Sequence, residues 1–185
     1  MTPEDRARFG ATTVRLNDGR AVVLRPLAAS DGPALADFYA TVPREDFRFY
    51  CPYELTREQA FADAARADSP LEVVLVIEAA DGSISGYAWY RWKEPGASAS
   101  GFGICLRRDH QGFGAGGAIM RRLLEIARTV GPPVMGLTVQ KANARAVALY
   151  RATGFRVVRE QARVERFGFP TEPEYCMERR AAIDL

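Results

Sequence analysis

Histidine is almost missing from this chain: one residue, His110, in 185. A Ser-His-Asp hydrolase would have to use it, and no nucleophile-elbow motif accompanies it. Cysteine is scarce as well, with Cys51, Cys105 and Cys176. An odd number at wide spacing argues against a disulfide framework and against a zinc site, so no metal is expected. No apolar run approaches the roughly 20 residues that span a bilayer. The N-terminal stretch MTPEDRARFG lacks the apolar centre of a signal peptide. An excess of one charge is absent too: 25 basic against 23 acidic residues leave a net charge of +2. Such a balance gives no strong field for nucleic acid or membrane. A soluble cytoplasmic protein with reduced thiols is expected, with neither nucleic acid nor membrane as partner.

What is present is enough apolar residue, 48% of the chain, for one ordinary core. Residues 1–10 read as a tail and 11–185 as a single domain. Short β-type runs at 12–16 and 21–25 flank Asn17-Asp18-Gly19, a tight hairpin signal. Ser30 is placed to cap a helix in which Leu35, Phe38 and Tyr39 share a face, and Thr56 to cap a second. LEVVLVIEA is continuously apolar, as in a strand buried on both sides. ISGYAWYRWK, ASASGFGICL, VMGLTV, FRVVREQARVE and PEYCMERR read as further strands. A helix from about Gly116 to Val130 carries Ile119, Leu123, Ile126, Ala127 and Val130 on one face, and NARAVALYRAT forms another helix, stopped by Gly154. Hairpins first, then strands alternating with helices, predict a mixed α/β sheet covered on both faces.

The chemistry concentrates in ICLRRDHQGFGAGG, where a strand runs through a glycine-rich loop into a helix. Backbone N–H groups at such a helix start form an anion site, and glycines let a pyrophosphate approach closely. Gly112, Gly114 and Gly117 formally match the dinucleotide fingerprint G-x-G-x-x-G. The fingerprint also needs an acid at the end of the next strand, and that strand ends at Val139 and Gln140. No Gly-Lys-Ser/Thr is present for a P-loop.

The alternative reading is Q-x-x-G-x-G in QGFGAG, followed about 25 residues later by N-x-x-A-x-x-L-Y-x-x-x-G-F in NARAVALYRATGF. Together these motifs resemble the GNAT N-acetyltransferase superfamily, most strongly over residues 101–158. The resemblance implies a mostly antiparallel sheet of about seven strands, helices on both faces and a splay between the two central strands. It implies acetyl-CoA as acyl donor, with pantetheine against the backbone of Ile104, Cys105 and Leu106. Pyrophosphate would lie on the amides of Gly112, Phe113, Gly114, Ala115, Gly116 and Gly117, with Gln111 at the position of a family Arg or Gln. Asn143 would approach the pantetheine arm. Tyr150 would be the catalytic residue beside the thioester sulfur. Phe113 and Gly117 depart from basic positions of the family, so Arg121 or Arg122 would assist the phosphates.

Read without the resemblance, Asn143 is a helix cap, Tyr150 a core residue at i+7 from it and Cys105 a small buried residue. The resemblance puts His110 at a loop position where the family often has an aromatic residue, which implies a surface or packing role. The general base stays open among Glu54, Glu94, Glu165 and a water chain. Family precedent puts the acceptor between the first two helices and the late strands, where Phe47, Phe49, Tyr50, Tyr53, Tyr87, Trp89 and Phe167 would make a partly apolar pocket. The expected activity is transfer of acetyl to a primary amine of a small molecule or peptide, by direct attack in a ternary complex. A non-catalytic acetyl-CoA sensor is the alternative, and a homodimer is left open.

Overall fold

The computed structural model describes residues 1–50 and 52–180. Cys51 lies outside the described residues, so the reading of its thiol is not addressed. The first hairpin joins β1 (Thr12–Arg15) and β2 (Ala21–Pro26) through Asn17-Asp18-Gly19, where Gly19 takes a φ of +88°. β3 (Glu72–Glu78) and β4 (Ile84–Arg91) extend the antiparallel ladder, and β5 (Ala99–Leu106) pairs with β4. β6 (Val134–Gln140) is parallel to β5, the only parallel neighbours among the described strands. β7 (Arg156–Arg163) and β8 (Glu172–Arg180) close the sheet, with β8 inserted between β6 and β7. The sheet has eight strands in the order β1-β2-β3-β4-β5-β6-β8-β7, against the seven or so expected.

β3 explains how one strand serves two cores. Val73, Leu75 and Ile77 point to one face and Val74 and Val76 to the other, and all five are buried. On the first face lie α4 (Ala115–Ala127) and α5 (Ala144–Ala152); on the second, α2 (Gly32–Ala40) and α3 (Arg57–Ala65). Residues 1–10, expected as a tail, contain α1 (Pro3–Arg8), capped by Thr2, and send Met1 and Phe9 into the α4 core. Met1 and Phe9 are separated by the mostly polar TPEDRAR, which gave no periodic signal for that docking.

Thr56 caps α3 as expected, its Oγ1 accepting from Gln59 N–H at 3.1 Å. Ser30 does not cap α2. It sits inside a 3-10 turn, Ala29–Asp31, and α2 begins one residue later without a side-chain cap. Asp31 takes the local role instead: its carboxylate accepts from Ala28 N–H at 2.7 Å and pairs with Arg25. A charge-assisted pair outweighs a serine cap. No helix among the described residues is long and apolar enough to cross a membrane.

Candidate active site

β5 and β6 touch only at their starts, where Ala99, Ser100 and Gly101 meet Val134, Met135 and Gly136. Beyond that point β5 stays with β4 through Leu106, and β6 stays with β8 through Gln140. The two strands therefore diverge and open a wedge. Gly136 lets the apex close, since a Cβ there would lie 3.3 Å from the Ser100 carbonyl oxygen. The wedge leads into a cleft of about 490 Å³. Phe102, Gly103 and Ile104 of β5, Thr138 and Gln140 of β6, and Tyr150 of α5 form its inner part. Phe49, Tyr50, Pro52 and Trp89 make one wall; Gln161, Ala162, Arg163 and Glu174 make the other.

Backbone alternation decides which β5 groups face the wedge. Arg107 N–H donates to Ser85 of β4 at 2.9 Å. Counting back in twos, Cys105 and Gly103 also bond toward β4, while Ile104 and Leu106 turn their amides to the wedge. Leu106 already uses its carbonyl to accept from Gln111 Nε2 at 2.9 Å. Of the three expected pantetheine residues, Ile104 and Leu106 thus present backbone to the gap and Cys105 does not. The Cys105 thiol lies in the α2/α3 core, and burial pushes its pKa up to about 12, which leaves no route to an acyl-carrying thiolate.

The loop reaches α4 through two left-handed glycines, Gly112 at φ +87° and Gly114 at φ +91°. Gly114 is the N-cap and provides no side chain, so the first amides of α4 are left to an anion. Gly116 serves packing instead: a Cβ there would sit 3.3 Å from Leu149 of α5. The edge hairpin holds the loop from outside. Asn17 N–H donates to the Phe113 carbonyl at 3.0 Å, Arg20 donates to the Asp109 carbonyl at 2.7 Å, and the Arg20 guanidinium lies over the Phe113 ring. His110 is buried between Asp109 and Arg20, a packing role. Of the two arginines expected to assist, Arg121 lies beside Gly117, whereas Arg122 turns away to Gly10 and Glu125. Arg145, which was not expected, donates to Gln111 Oε1 at 2.7 Å.

Asn143 caps α5, its Oδ1 accepting from Ala146 N–H at 3.2 Å. Two turns further on, α5 brings Tyr150 to the cleft. Its ring packs edge-on against Phe102 at 5.9 Å and tilted against Phe155 at 5.8 Å. Its hydroxyl forms no hydrogen bond to any described side chain or backbone group, and burial raises its pKa above the ordinary phenol value. The fold therefore packs the ring as a core residue and leaves the hydroxyl without a partner on a residue that lines the cleft.

A family model described as the Acetyltransferase (GNAT) family matches residues 35–155. The chain belongs to this family. It is an N-acetyltransferase by that membership. It is 33% identical over 122 residues to an L-methionine sulfoximine/L-methionine sulfone acetyltransferase of Pseudomonas paraeruginosa, covering 63% of this chain and 69% of the relative. The protein of the same description in Pseudomonas aeruginosa is 32% identical over 122 residues. The GNAT domain of S. lividans PAT superposes with a TM-score of 0.76 at 20% identity, over 94% of this chain and 98% of that one. Mycobacterium smegmatis RimJ, solved with CoA-disulfide, superposes with a TM-score of 0.74 at 16% identity, over 92% of this chain and 87% of that one.

Of the aromatic residues expected around the acceptor, Phe49, Tyr50 and Trp89 line the cleft, whereas Phe47, Tyr53, Tyr87 and Phe167 do not. Tyr53 and Tyr87 belong to a buried network around Asp63, and Phe47 packs on the α2/α3 core. Trp89 donates to the Tyr50 hydroxyl at 3.0 Å, and Gly103 admits its indole, which would lie 2.6 Å from a Cβ. Glu54, Glu94 and Glu165 line no part of the cleft, but Glu174, only 5% exposed, does. The sequence held no signal for it, because only the insertion of β8 beside β6 turns this carboxylate toward the cleft.

Proposed function

We propose that this protein transfers the acetyl group of acetyl-CoA to a primary amine of a small molecule or peptide, by direct attack in a ternary complex. The observation that carries the reading is Tyr150, whose hydroxyl is unbonded, lining the cleft with Phe102, Gly103 and Ile104 of β5 and Thr138 and Gln140 of β6. Ile104 and Leu106 would pair with pantetheine as an added strand does. Gln111 and the amides from Gly112 to Gly117, Phe113 and Ala115 included, would hold the pyrophosphate, with Arg121 and Arg145 nearby. Asn143 would flank the pantetheine arm while capping α5.

In the reaction, the amine nitrogen forms a bond to the thioester carbon, and the C–S bonding pair leaves with sulfur. The wedge-facing amides of Ile104 and Leu106 stabilise the oxygen on which charge builds. Tyr150 hydrogen-bonds the departing thiolate and supplies its proton. Burial raises the phenol pKa, but the thiolate is desolvated in the same place, so the two stay matched. Glu174 accepts the proton lost by the amine. Holding both substrates in one cleft supplies the rest of the rate by proximity.

The relatives named for L-methionine sulfoximine and sulfone act on small amino compounds, which supports a small-molecule acceptor here. A cytoplasmic setting agrees with the free, buried thiols of Cys105 and Cys176. Titration with acetyl-CoA, followed by a screen of primary amines with detection of released thiol, tests the proposal. Acetyl-CoA-dependent thiol release with at least one amine is expected. Tight acetyl-CoA binding with no amine acetylated would replace the enzyme by a sensor.

A further inference from the structure

Two charged residues on one wall of the cleft are without charged partners. Glu174 is buried, lines the cleft and forms no ion pair with any described residue; Gln161 Nε2 alone donates to it, at 2.6 Å. Arg163 lines the same cleft and pairs with no described carboxylate. Its Nη1 donates to the Arg48 carbonyl, and its Nη2 is buried without a partner. The nearest acid across the ladder, Glu172, is opposite Arg163 in register but is taken by Arg48. Buried charges and donors without partners are costly and are rarely kept without a ligand to complete them.

Their placement is fixed by the ladder. Gln161 faces Glu174 and Arg163 faces Glu172, so all four project from one face of β7 and β8. Arg163 and Glu174 are diagonal neighbours, about 7–8 Å apart at the backbone. They do not bond each other. A ligand with a cation and an anion on one carbon would bridge them. The opposite wall, Phe49, Tyr50 and Trp89, is aromatic and suits a side chain of low charge.

We infer that the acceptor is a free α-amino acid, its carboxylate held by Arg163 and its amino group by Glu174. This rests on the acetyltransferase reading and narrows it: an amine without a neighbouring carboxylate leaves Arg163 unpaired, and a peptide N-terminus does the same. Holding the ammonium also puts Glu174 in place to receive its proton before attack.

The test compares L-phenylalanine, L-methionine and L-methionine sulfone with their carboxamides, under saturating acetyl-CoA. Wild-type kcat/KM favours each acid over its carboxamide by at least tenfold. Arg163→Gln abolishes that preference by raising KM for the acids and leaving KM for the carboxamides unchanged; Arg163→Lys recovers part of it. Glu174→Gln raises KM for acids and carboxamides alike. Equal use of acids and carboxamides by the wild type, which needs no variant to fold, overturns the inference and leaves the acetyltransferase standing. So does an equal loss for both classes in Arg163→Gln. Acetyl-CoA binding with no amine acetylated overturns both.

Discussion

Two clusters of buried charge flank the middle of the sheet, and they are built by opposite rules. Beneath α2 and α3, Asp63 is fully buried, yet both of its oxygens are occupied: Tyr39 and Tyr53 donate to one at 2.7 and 2.8 Å, and Arg66 and Arg91 to the other. Glu72 is likewise held by Arg66 and Arg91. In the cleft, Glu174 and Arg163 are left short of partners. A satisfied network fixes a structure; an unsatisfied one on a cavity wall is completed by what binds there. Burial alone does not separate the two, and the hydrogen-bond inventory does.

The largest way to break the comparison is Asp63→Ala. It takes one of two carboxylates from Arg66 and Arg91 and strips the Tyr39 and Tyr53 hydroxyls of their carboxylate acceptor, and should lower stability by about 3–5 kcal/mol in denaturant titration. A loss under about 1 kcal/mol would make the Asp63 network dispensable. Next comes Tyr150→Phe, which keeps the ring against Phe102 and Phe155. Turnover should fall roughly 10- to 1000-fold with acetyl-CoA affinity nearly unchanged, the span of general-acid effects. Because burial raises the Tyr150 pKa, its proton is retained through the ordinary phenol range, and kcat should show no alkaline decline from this group below pH about 10. Equal turnover in the variant would return Tyr150 to packing alone.

Gly114→Asp is a smaller lesion. It places a side chain at φ +91°, close to Asn17, and a negative charge at the start of α4. Acetyl-CoA binding should weaken about tenfold or more by calorimetry. An unchanged dissociation constant in a folded variant takes the loop out of the cofactor site. The smallest effect sharpens the contrast with Asp63. Glu174→Gln removes a buried charge that no cation balances, so stability should change by less than about 1 kcal/mol, and upward if at all. A loss comparable to that of Asp63→Ala would class Glu174 as structural.

Much of the fold was legible because its signals are local. β3 announced its double burial in an unbroken apolar run, and Gly112 and Gly114 announced the left-handed turns that lead into α4. Tyr150 and Asn143 were legible only as a pair with that loop, since each also has a packing role that the structure confirms. The cleft wall was not legible. Gln161, Arg163 and Glu174 are ordinary polar residues of two strands, and only the insertion of β8 beside β6 turns one face of them inward. Ser30 misled for a related reason: the partner that made Asp31 prevail, Arg25, lies on β2.

That insertion also sets an order of events. β6 cannot gain its second neighbour until β8 exists, and Gly136 meets Glu178 across more than 40 residues of intervening chain. Such distant pairing is slow relative to the hairpins that assemble β1 to β5. On the ribosome, the glycine loop and Tyr150 are made well before residues 172–180, so under the proposed assignment a nascent chain would hold the parts of a donor site while lacking β8 and with it Glu174. Acetyl transfer would then wait on β8, and a chain truncated before Glu172 should be unable to bind its acceptor.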